Sequence, residues 1–261
     1  MKRIPQLIML DLDGTLYVGK QPIPGAIDCI KQLRERGIHL RFLTNTTTKS
    51  QDELIAQLRV MGFALEEEEL ISASVGAKLE LLGLQRDARR PLRIWPVVAD
   101  GIKQDFSEFY WDEQHPDYVV LGDIGDAWDL TLVHRLFNVM HAGAELIALH
   151  KNRFWQTEAG LKADIGFFVA GLEYVCSKNA RIMGKPNRAF FQRVLDSVGI
   201  DATNAIMVGD DIDSDIGGAQ QMGIRGCLVK TGKYREGYVG SSNTKPAYVL
   251  PSVADLPHLW D

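Results

Sequence analysis

Short apolar runs alternate along the chain with stretches in which apolar residues stand three or four positions apart. The short runs are typical of strands buried on both faces of a parallel sheet. They predict strands at Leu7–Leu10, Leu40–Leu43, Tyr118–Leu121, Leu146–Leu149, Arg181–Met183, Ala205–Val208 and Gly226–Val229. The longer stretches, several of which close on a glycine, predict helices at Pro24–Gly37, Asp52–Met61, Leu132–Met140, Gly166–Val175 and Phe190–Val198. This alternation predicts an α/β fold with a parallel sheet.

The segment from about residue 77 to residue 178 is too long to be a loop between two elements, because such loops usually have only a few residues. It contains predicted strands and helices of its own, in the same alternation. We therefore expect a first α/β domain formed by residues 1–76 and 179–261, and a second α/β domain inserted at residues 77–178.

Composition and charge exclude several classes of partner. With 46% hydrophobic and 24% charged residues, the 261-residue chain has the composition of an ordinary globular protein. Its net charge of -5 provides no basic surface for nucleic acid and no polybasic cluster for an anionic membrane. No segment has the roughly 20 consecutive apolar residues that span a bilayer. The cysteines Cys29, Cys176 and Cys227 stand far apart and cannot all pair within the chain, which favours a reducing, cytoplasmic location.

Polar groups follow four of the predicted strands, each at the point where the strand ends. They are Asp11-Leu12-Asp13-Gly14-Thr15, Thr44-Asn45, Gly184-Lys185-Pro186, and Gly209-Asp210-Asp211 with Asp215 shortly after. In an open parallel sheet, ligands bind outside the carboxyl ends of the strands. Each group alone has an ordinary explanation, but four groups in this position predict one functional site.

Asp11 and Asp13 are the strongest candidates for chemistry. An apolar run leads straight into Asp11, which puts its carboxylate at the sheet edge. If the strand continued, its two-residue repeat would direct both aspartates to one side, where one can attack a phosphorus atom while the other moves protons. Neighbouring carboxylates repel each other, so a cation is expected to keep both ionised. The alternative is a polar turn, since Asp-Gly is common in turns.

Thr44, Asn45 and Lys185 offer groups that suit a phosphoryl group. Thr44 and Asn45 supply a hydroxyl, an amide and backbone N–H groups. Lys185 supplies a positive charge that can face a phosphoryl group or a carboxylate nucleophile. Taken alone, Thr44-Asn45 also fits a helix N-cap, and Lys185 also fits a solvated surface lysine.

The acidic segment 210–215 contains four aspartates within six residues. Such a density of negative charge costs stability unless a cation is bound. The segment begins like a calcium loop, but Ile216 and Met222 stand where that loop requires glycine and glutamate, which excludes it. A cation site and a solvated, helix-capping turn both remain open at this point.

The segments DLDGT, TN, GKP and GDDIDSD resemble, in this order, the four motifs of the haloacid dehalogenase superfamily. The length between TN and GKP resembles subfamily IIA, in which a large α/β cap follows the second motif. The resemblance covers nearly the whole chain and is stronger in the core than in the cap. It implies a Rossmann-like core with a parallel sheet and an inserted α/β cap domain.

The resemblance also implies a role for each matching residue. Asp11 is implied to be the nucleophile and Asp13 the general acid and base, and both are implied to bind Mg2+ together with Asp210. Asp211 and Asp215 are implied to support these groups from behind, by orienting the lysine or a water on the metal. The residues implied to contact the phosphoryl group are Asp11, Leu12, Asp13, Thr44, Asn45 and Lys185.

We therefore expect a phosphatase that hydrolyses small phosphorylated metabolites through a phospho-aspartyl intermediate on Asp11. Asp13 favours a phosphatase, because dehalogenation needs no acid for a leaving oxygen and the dehalogenases of the family lack the second aspartate. Two alternatives stay open. One is an enzyme that hydrolyses inorganic pyrophosphate or the P–N bonds of phosphohistidine and phospholysine. The other is a non-catalytic regulatory protein that binds a phosphorylated ligand on the same scaffold.

The inserted domain offers weaker signals about partners. Lys151, Asn152 and Arg153 follow a predicted strand and are candidate substrate contacts, although a surface loop is the plainer interpretation. The expected partners are a small phosphorylated substrate and, as in relatives, a second copy of the chain bound through the cap. Nucleic acid and membrane are not expected as partners.

Overall fold

The computed structural model describes residues 4–157 and 160–261 as an α/β protein. Its strands are β1 (Leu7–Asp11), β2 (Tyr17–Val18), β3 (Gln21–Pro22), β4 (His39–Thr44), β5 (Leu70–Ser72), β6 (Arg93–Val97), β7 (Tyr110–Trp111), β8 (Tyr118–Leu121), β9 (Glu145–Ala148), β10 (Phe154–Thr157), β11 (Gly160–Ala163), β12 (Arg181–Ile182), β13 (Ala205–Gly209), β14 (Arg225–Val229) and β15 (Tyr248–Leu250). Its α-helices are α1 (Ala26–Glu35), α2 (Gln51–Val60), α3 (Ala73–Ala88), α4 (Asp100–Lys103), α5 (Leu130–His141), α6 (Gly166–Cys176), α7 (Arg188–Asp196), α8 (Gly218–Gln220) and α9 (Glu236–Ser241). Among the described residues, no helix is long and apolar enough to cross a membrane.

The chain forms two compact units. The first contains the residues up to Thr44 together with Ile55–Ile71 and Lys185–Asp261, and the second contains Asn45–Leu54 and Ser72–Gly184. The sequence-based boundaries at residues 77 and 178 both fall inside the second unit. The reason is that α3 already begins at Ala73, and that β12 pairs within the second unit's sheet.

A six-stranded sheet organises the first unit, in the order β15-β14-β13-β1-β4-β5. The central strand β1 pairs in parallel with β13 and with β4, so that Leu7 lies opposite both Ala205 and His39. Both β1 and β13 are buried at every position. Burial on both faces explains why these strands are almost purely apolar, and it confirms the predicted parallel sheet.

Helix α1 shows how local sequence sets an element of this unit. It begins after Gly25, whose φ of 80° only glycine adopts at low cost, and carries Asp28 in its first turn and Arg34 in its last, where each charge favours the helix dipole. It buries the apolar face that the residue spacing predicts, made by Ala26, Cys29, Ile30 and Leu33.

A five-stranded parallel sheet organises the second unit, in the order β12-β9-β8-β6-β7. One core cluster joins residues of this sheet to α3, through Ala77 and Leu81, and another joins them to α5 and α6, through Leu136 and Val169. The strands β10 and β11 form a separate antiparallel pair. Strand β12, which the predicted boundaries assign to the first domain, pairs here with β9, and Arg181 lies opposite Ile147.

Candidate active site

Strand β1 delivers Asp11 to the carboxyl edge of the first unit's sheet. Asp11 is the last residue of the strand and is 8% exposed. The Nζ atom of Lys185 donates a hydrogen bond to Asp11 Oδ1 at 2.5 Å, and the hydroxyl of Thr15 donates to Asp11 Oδ2 at 3.4 Å. Both carboxylate oxygens are therefore held by partners in a buried position.

Lys185 is a fully buried ammonium group held by oxygen atoms. Its Nζ lies 2.5 Å from Asp11 Oδ1, 2.7 Å from Asp215 Oδ1 and 3.4 Å from the carbonyl oxygen of Leu43. Burial lowers the pKa of Lys185, but the carboxylates of Asp11 and Asp215 outweigh that effect and raise it above its ordinary value. The lysine is therefore charged, and the solvated surface lysine considered from the sequence is excluded.

Asp11, Asp210 and Asp215 form a buried cluster in which one carboxylate oxygen from each lies within 4.8 Å of the others. Burial raises the pKa of Asp210 well above its ordinary value, and the charges of Asp11 and Asp215 add to that effect. Burial also raises the pKa of Asp215 to about 7, although Lys185 opposes the shift. The ammonium group of Lys185 does not by itself balance the three carboxylates.

The chain turns sharply after Asp11 rather than continuing as a strand. Asp13 is exposed and lies outside β1, in an isolated bridge with Tyr17, so the continued two-residue repeat considered from the sequence does not occur. The turn is closed by the N–H of Gly14, which donates to the carbonyl of Tyr17 at 2.7 Å. Leu12 is fully buried, so it can serve a phosphoryl group only through its backbone.

Thr44 and Asn45 straddle the boundary between the two units. Thr44 is the last residue of β4 and is buried, and Asn45 opens the second unit. Within that unit, Asn45 Nδ2 lies 3.5 Å from Asn152 Oδ1. The N-terminus of α2 is instead capped reciprocally by Ser50 and Glu53, at 2.9 and 3.2 Å, which excludes Thr44 and Asn45 as its cap.

Known proteins resemble this chain over nearly its whole length. Residues 8–111 match the family described as haloacid dehalogenase-like hydrolase, and residues 182–256 match the one described as HAD-hydrolase-like. The human haloacid dehalogenase-like hydrolase domain-containing protein 2 is 34% identical over 259 residues, which cover 99% of this chain and 96% of that protein. The chain belongs to the haloacid dehalogenase-like hydrolase family. The family predicted from the four motifs is thus confirmed.

Other relatives of this hydrolase carry phosphatase names. The mouse phospholysine phosphohistidine inorganic pyrophosphate phosphatase is 35% identical, over 88% of this chain and 84% of that protein. The p-nitrophenyl phosphatase from Archaeoglobus fulgidus has a TM-score of 0.89 at 23% identity, over 98% of this chain and 100% of that one. A glycerol phosphate phosphatase from Mycobacterium tuberculosis, solved with magnesium, has a TM-score of 0.82 at 26% identity, over 97% of this chain and 76% of that one.

These relatives confirm two predictions. The fold is a Rossmann-like haloacid dehalogenase core with an inserted α/β cap, and the enzyme class is a phosphatase of this superfamily. The first unit is called the core from here on, and the second unit the cap.

The donor set of this hydrolase fits a divalent metal ion, which phosphatases of the family generally use. The three clustered groups are all carboxylates, the ligand type that hard divalent cations prefer. The raised pKa values of Asp210 and Asp215 show that the protein alone resists ionising the whole cluster. Both oxygens of Asp215 have protein partners, Lys185 Nζ and the N–H of Asp211.

Asp211 has a different environment from its neighbour Asp210. Its Oδ1 accepts hydrogen bonds from the N–H groups of Asp213 and Ser214, both at 3.0 Å, and so caps the π-helical turn Ile212–Gly217. The helix-capping alternative considered for the acidic segment therefore fits Asp211, whereas Asp210 lies in the carboxylate cluster.

Sequence reasoning missed Lys233 as a member of the site. Its backbone N–H donates to Asp210 Oδ2 at 2.6 Å, and its Nζ lies 3.4 Å from Asp211 Oδ2. The signal was present, because the segment that holds Lys233 begins where β14 ends at Val229, at the same edge of the sheet as Asp11.

The candidate substrate residues of the cap have partners within that domain. Lys151 forms an ion pair with Glu173 of α6, whose other carboxylate oxygen accepts the N–H of Ala180 at 3.0 Å. Asn152 contacts Asn45, as described above, and Arg153 is exposed. Lys151 is thus engaged in holding the cap together.

Proposed function

We propose that this enzyme is a magnesium-dependent phosphatase of small phosphorylated metabolites that acts through a phospho-aspartyl intermediate on Asp11. The observation that carries the proposal is the buried ion pair between Asp11 and Lys185, at 2.5 Å, beside the carboxylates of Asp210 and Asp215. A charged lysine orients the carboxylate for attack and offers positive charge to the phosphoryl oxygens. The magnesium complex of the glycerol phosphate phosphatase supports the choice of ion.

The reaction has two steps. In the first, an oxygen of Asp11 attacks phosphorus, the acyl-phosphate bond forms, and the bond to the leaving oxygen breaks as Asp13 gives that oxygen a proton. In the second, Asp13 takes a proton from water, the water oxygen attacks phosphorus, and Asp11 is released as a carboxylate with inorganic phosphate. Dividing the reaction in this way replaces one difficult step by two easier ones. Thr44, Asn45, Lys185 and the backbone at Leu12 hold the phosphoryl oxygens.

Mg2+, when bound, neutralises negative charge on the phosphoryl oxygens and on the carboxylates that face them. The residues that would hold it are Asp11 and Asp210 through their side chains and Asp13 through its carbonyl. Asp215 orients Lys185, since its Oδ1 lies 2.7 Å from Nζ. Asp211 stabilises the acidic segment 210–215 by capping the turn that follows Asp210.

A second candidate function is hydrolysis of inorganic pyrophosphate or of the P–N bonds of phosphohistidine and phospholysine. It is favoured by the 35% identity to the mouse phosphatase named for those substrates. A third candidate, a non-catalytic protein that binds a phosphorylated ligand, is disfavoured because a binding scaffold does not require a nucleophile with its own buried lysine.

Steady-state hydrolysis by the purified full-length chain tests these proposals. We expect p-nitrophenyl phosphate to be hydrolysed with Mg2+ and not with EDTA, and the loss to reverse when Mg2+ is restored. A panel of sugar phosphates, glycerol phosphate, pyrophosphate, phosphohistidine and phospholysine then ranks substrates by kcat/KM. Preference for pyrophosphate or P–N substrates would support the second candidate, and a folded protein that hydrolyses none of them would contradict both catalytic candidates.

Two further expectations remain predictions: the cytoplasmic location and the homodimer formed through the cap. The dimer is supported by the outer face of α6, where Phe167, Tyr174 and Val175 are 69%, 86% and 53% exposed. Exposed apolar groups of this kind, aligned on one helix, are typical of a protein–protein contact.

A further inference from the structure

A short turn that follows β14 holds two parts of the active site together. It comprises Thr231, Gly232 and Lys233 and is called the 231–233 turn below. The hydroxyl of Thr231 donates a hydrogen bond to the carbonyl oxygen of Gly14 at 2.5 Å, and the N–H of Lys233 donates to Asp210 Oδ2 at 2.6 Å. The turn therefore links the segment after Asp11 to Asp210 by two polar contacts.

Two glycines allow this close approach. A Cβ atom on Gly232 would collide with Asp210 Oδ2 and lie 2.5 Å from the Cα of Gly14. A Cβ atom on Gly14 would collide with the same oxygen and lie 3.0 Å from the Cα of Gly232. Both glycines also have positive φ, at 56° and 85°, which disfavours other residues. The Oδ2 atom of Asp210 is thus enclosed by two backbones that have no room for a side chain.

The side chain of Lys233 belongs electrostatically to the carboxylate cluster. Its Nζ lies 3.4 Å from Asp211 Oδ2. Together with Lys185, it is the second cation beside these aspartates.

We propose that the 231–233 turn is a positioning element that engages Asp210 Oδ2 and leaves Oδ1 as the oxygen that Asp210 offers to the divalent cation, while the ammonium group of Lys233 stabilises the cluster when no cation is bound. The proposal rests on the metal dependence proposed above. Partners of this kind fix the orientation of a ligand and typically change metal affinity about 10–100-fold when they are removed.

The two halves of the proposal predict effects of opposite sign. Loss of the Thr231 hydroxyl releases the turn from Gly14, so Asp210 is held less firmly and Mg2+ binds more weakly. Loss of the Lys233 charge leaves the backbone N–H in place but removes a cation that competes with Mg2+. Mg2+ then binds more tightly, and the metal-free protein becomes less stable.

Thermal unfolding of the full-length chain across a Mg2+ titration, without substrate, measures both effects independently of catalysis. For Thr231→Val we expect the half-saturating Mg2+ concentration to rise about tenfold. Thr231→Ser, which keeps the hydroxyl, should stay close to the unsubstituted chain. The matched control Thr203→Val, at an exposed threonine of the core, should also be unchanged. An unchanged half-saturating concentration in Thr231→Val overturns the positioning half of the proposal.

For Lys233→Met we expect a lower Tm without metal and a lower half-saturating Mg2+ concentration. The matched control is Lys230→Met, the same change at an exposed lysine close by in the sequence. The Nζ of Lys230 lies over the ring of Tyr234, at 5.7 Å from its centroid. That control should alter neither value. Weaker Mg2+ binding in Lys233→Met, or no change, overturns the counter-charge half of the proposal.

Glycine variants separate backbone strain from the close approach. Gly199 has a φ of 65°, but a Cβ there meets nothing within 4 Å, so Gly199→Ala should lower the Tm and leave Mg2+ affinity intact. Gly232→Ala should weaken Mg2+ binding as well, and equal Mg2+ affinity in the two variants contradicts the proposal. If Gly232→Ala does not fold, the comparison of Thr231→Val with Thr231→Ser still tests the positioning half of the proposal.

The Mg2+ titrations test the positioning role separately from the hydrolysis assays, which test the proposed function. If Mg2+ stabilises the chain with the expected shifts in the variants but no phosphorylated compound is hydrolysed, the proposed function fails and the positioning role stands. If Mg2+ does not stabilise the unsubstituted chain, the positioning role is overturned.

Discussion

The core sheet and the cap sheet are both parallel and packed against helices, yet their carboxyl edges carry different chemistry. In the core, the strand ends lead to Asp11, Thr44 and Asp210, all buried, and a buried lysine pairs with the first of these. In the cap, the aspartate that follows β8 is Asp123, whose Oδ1 accepts the N–H of Gly125 at 2.9 Å. In the core, buried carboxylates therefore lie beside the ammonium group of Lys185. In the cap, the carboxylate of Asp123 instead accepts a hydrogen bond from the backbone that follows it.

The cap edge is also covered by another segment of its own unit. Thr47, three residues after the end of β4, is buried, and its hydroxyl accepts the N–H of Asp123 at 3.4 Å. A Cβ atom on Gly101 would lie 2.8 Å from the carbonyl oxygen of Thr48. The fold provides the same kind of edge twice, and the buried, paired charges distinguish the edge that holds the candidate active site.

Exchange of a carboxylate for an amide should separate the two edges most clearly. Asp11→Asn removes the nucleophile, and we expect kcat to fall at least about 1,000-fold with the fold intact. Asp123→Asn makes the same chemical change at the cap edge and should leave kcat nearly unchanged. Steady-state kinetics with p-nitrophenyl phosphate and circular dichroism measure activity and folding. Substantial activity in folded Asp11→Asn would rule out the covalent mechanism.

Replacing one buried or partly buried lysine in each domain tests the difference between core and cap through positive charge. Lys185→Met leaves Asp11 and Asp215 buried without their cation, so we expect kcat to fall about 100-fold or more and metal-free stability to fall by about 3 kcal/mol.

The matched control for this change is Lys178→Met in the cap. Lys178 Nζ donates to the carbonyls of Met140 and Ala144 at 2.7 and 3.0 Å and pairs with no carboxylate among the described contacts. Its loss should cost about 1 kcal/mol and leave kcat intact. Urea unfolding and kinetics measure both, and equal effects on kcat would contradict the assigned role of Lys185.

In the cap, the carboxylate of Asp117 forms ion pairs with Arg90 and Arg93. The guanidinium of Arg90 and the N–H of Arg93 hold the pKa of Asp117 well below its usual range, against the effect of burial. Because the folded pKa lies below the unfolded pKa, the interaction stabilises the protein above about pH 4 and is lost as the pH falls further. Asp117→Asn should therefore cost about 1–2 kcal/mol at pH 7, a modest value because Arg90 is exposed and screened.

Urea unfolding at pH 7 and at pH 3 measures this effect. The difference in unfolding free energy between Asp117→Asn and the unsubstituted chain should be smaller at pH 3 than at pH 7, because pH 3 lies between the unfolded and the folded pKa. A difference that stays constant with pH would show that Asp117 acts through shape rather than charge.

The smallest effect on turnover should come from the outer face of α6. Tyr174→Lys places a charge on the exposed apolar face and should convert the expected dimer to a monomer, while changing kcat less than about twofold. The matched control is Val60→Lys, because Val60 is 90% exposed on the surface of the core domain. This control should leave the dimer intact. Sedimentation velocity measures the state, and a monomeric unsubstituted chain at all concentrations would show that the dimer prediction is wrong.

Elements with a clear pattern were predicted well, and others were missed for physical reasons. The run Leu7–Leu10 was visible because a strand buried on both faces must be apolar. Helix α3 was missed because it packs with small residues, including Ala73, Gly76 and Ala77, which form no conspicuous apolar stripe. Strand β6 was missed because it contains Pro96, which normally argues against a strand inside a sheet.

The site was predicted in part for a similar reason. Asp11 and Asp210 follow apolar runs directly, so local pattern was enough to select them. Lys233 was missed because it stands four residues beyond the end of β14, and only the fold of the 231–233 turn brings its N–H to Asp210.

The sequence by itself determined the α/β class, the family and the candidate residues, because buried strands must be apolar and phosphoryl chemistry requires particular side chains in a particular order. The tertiary structure alone decided which candidates meet. It pairs Lys185 with Asp11, 174 residues away along the chain, and it directs Asp210 into the cluster while the next residue, Asp211, caps a helical turn. Burial and charge pairing depend on contacts between distant segments, and a local pattern of residues contains no record of those contacts.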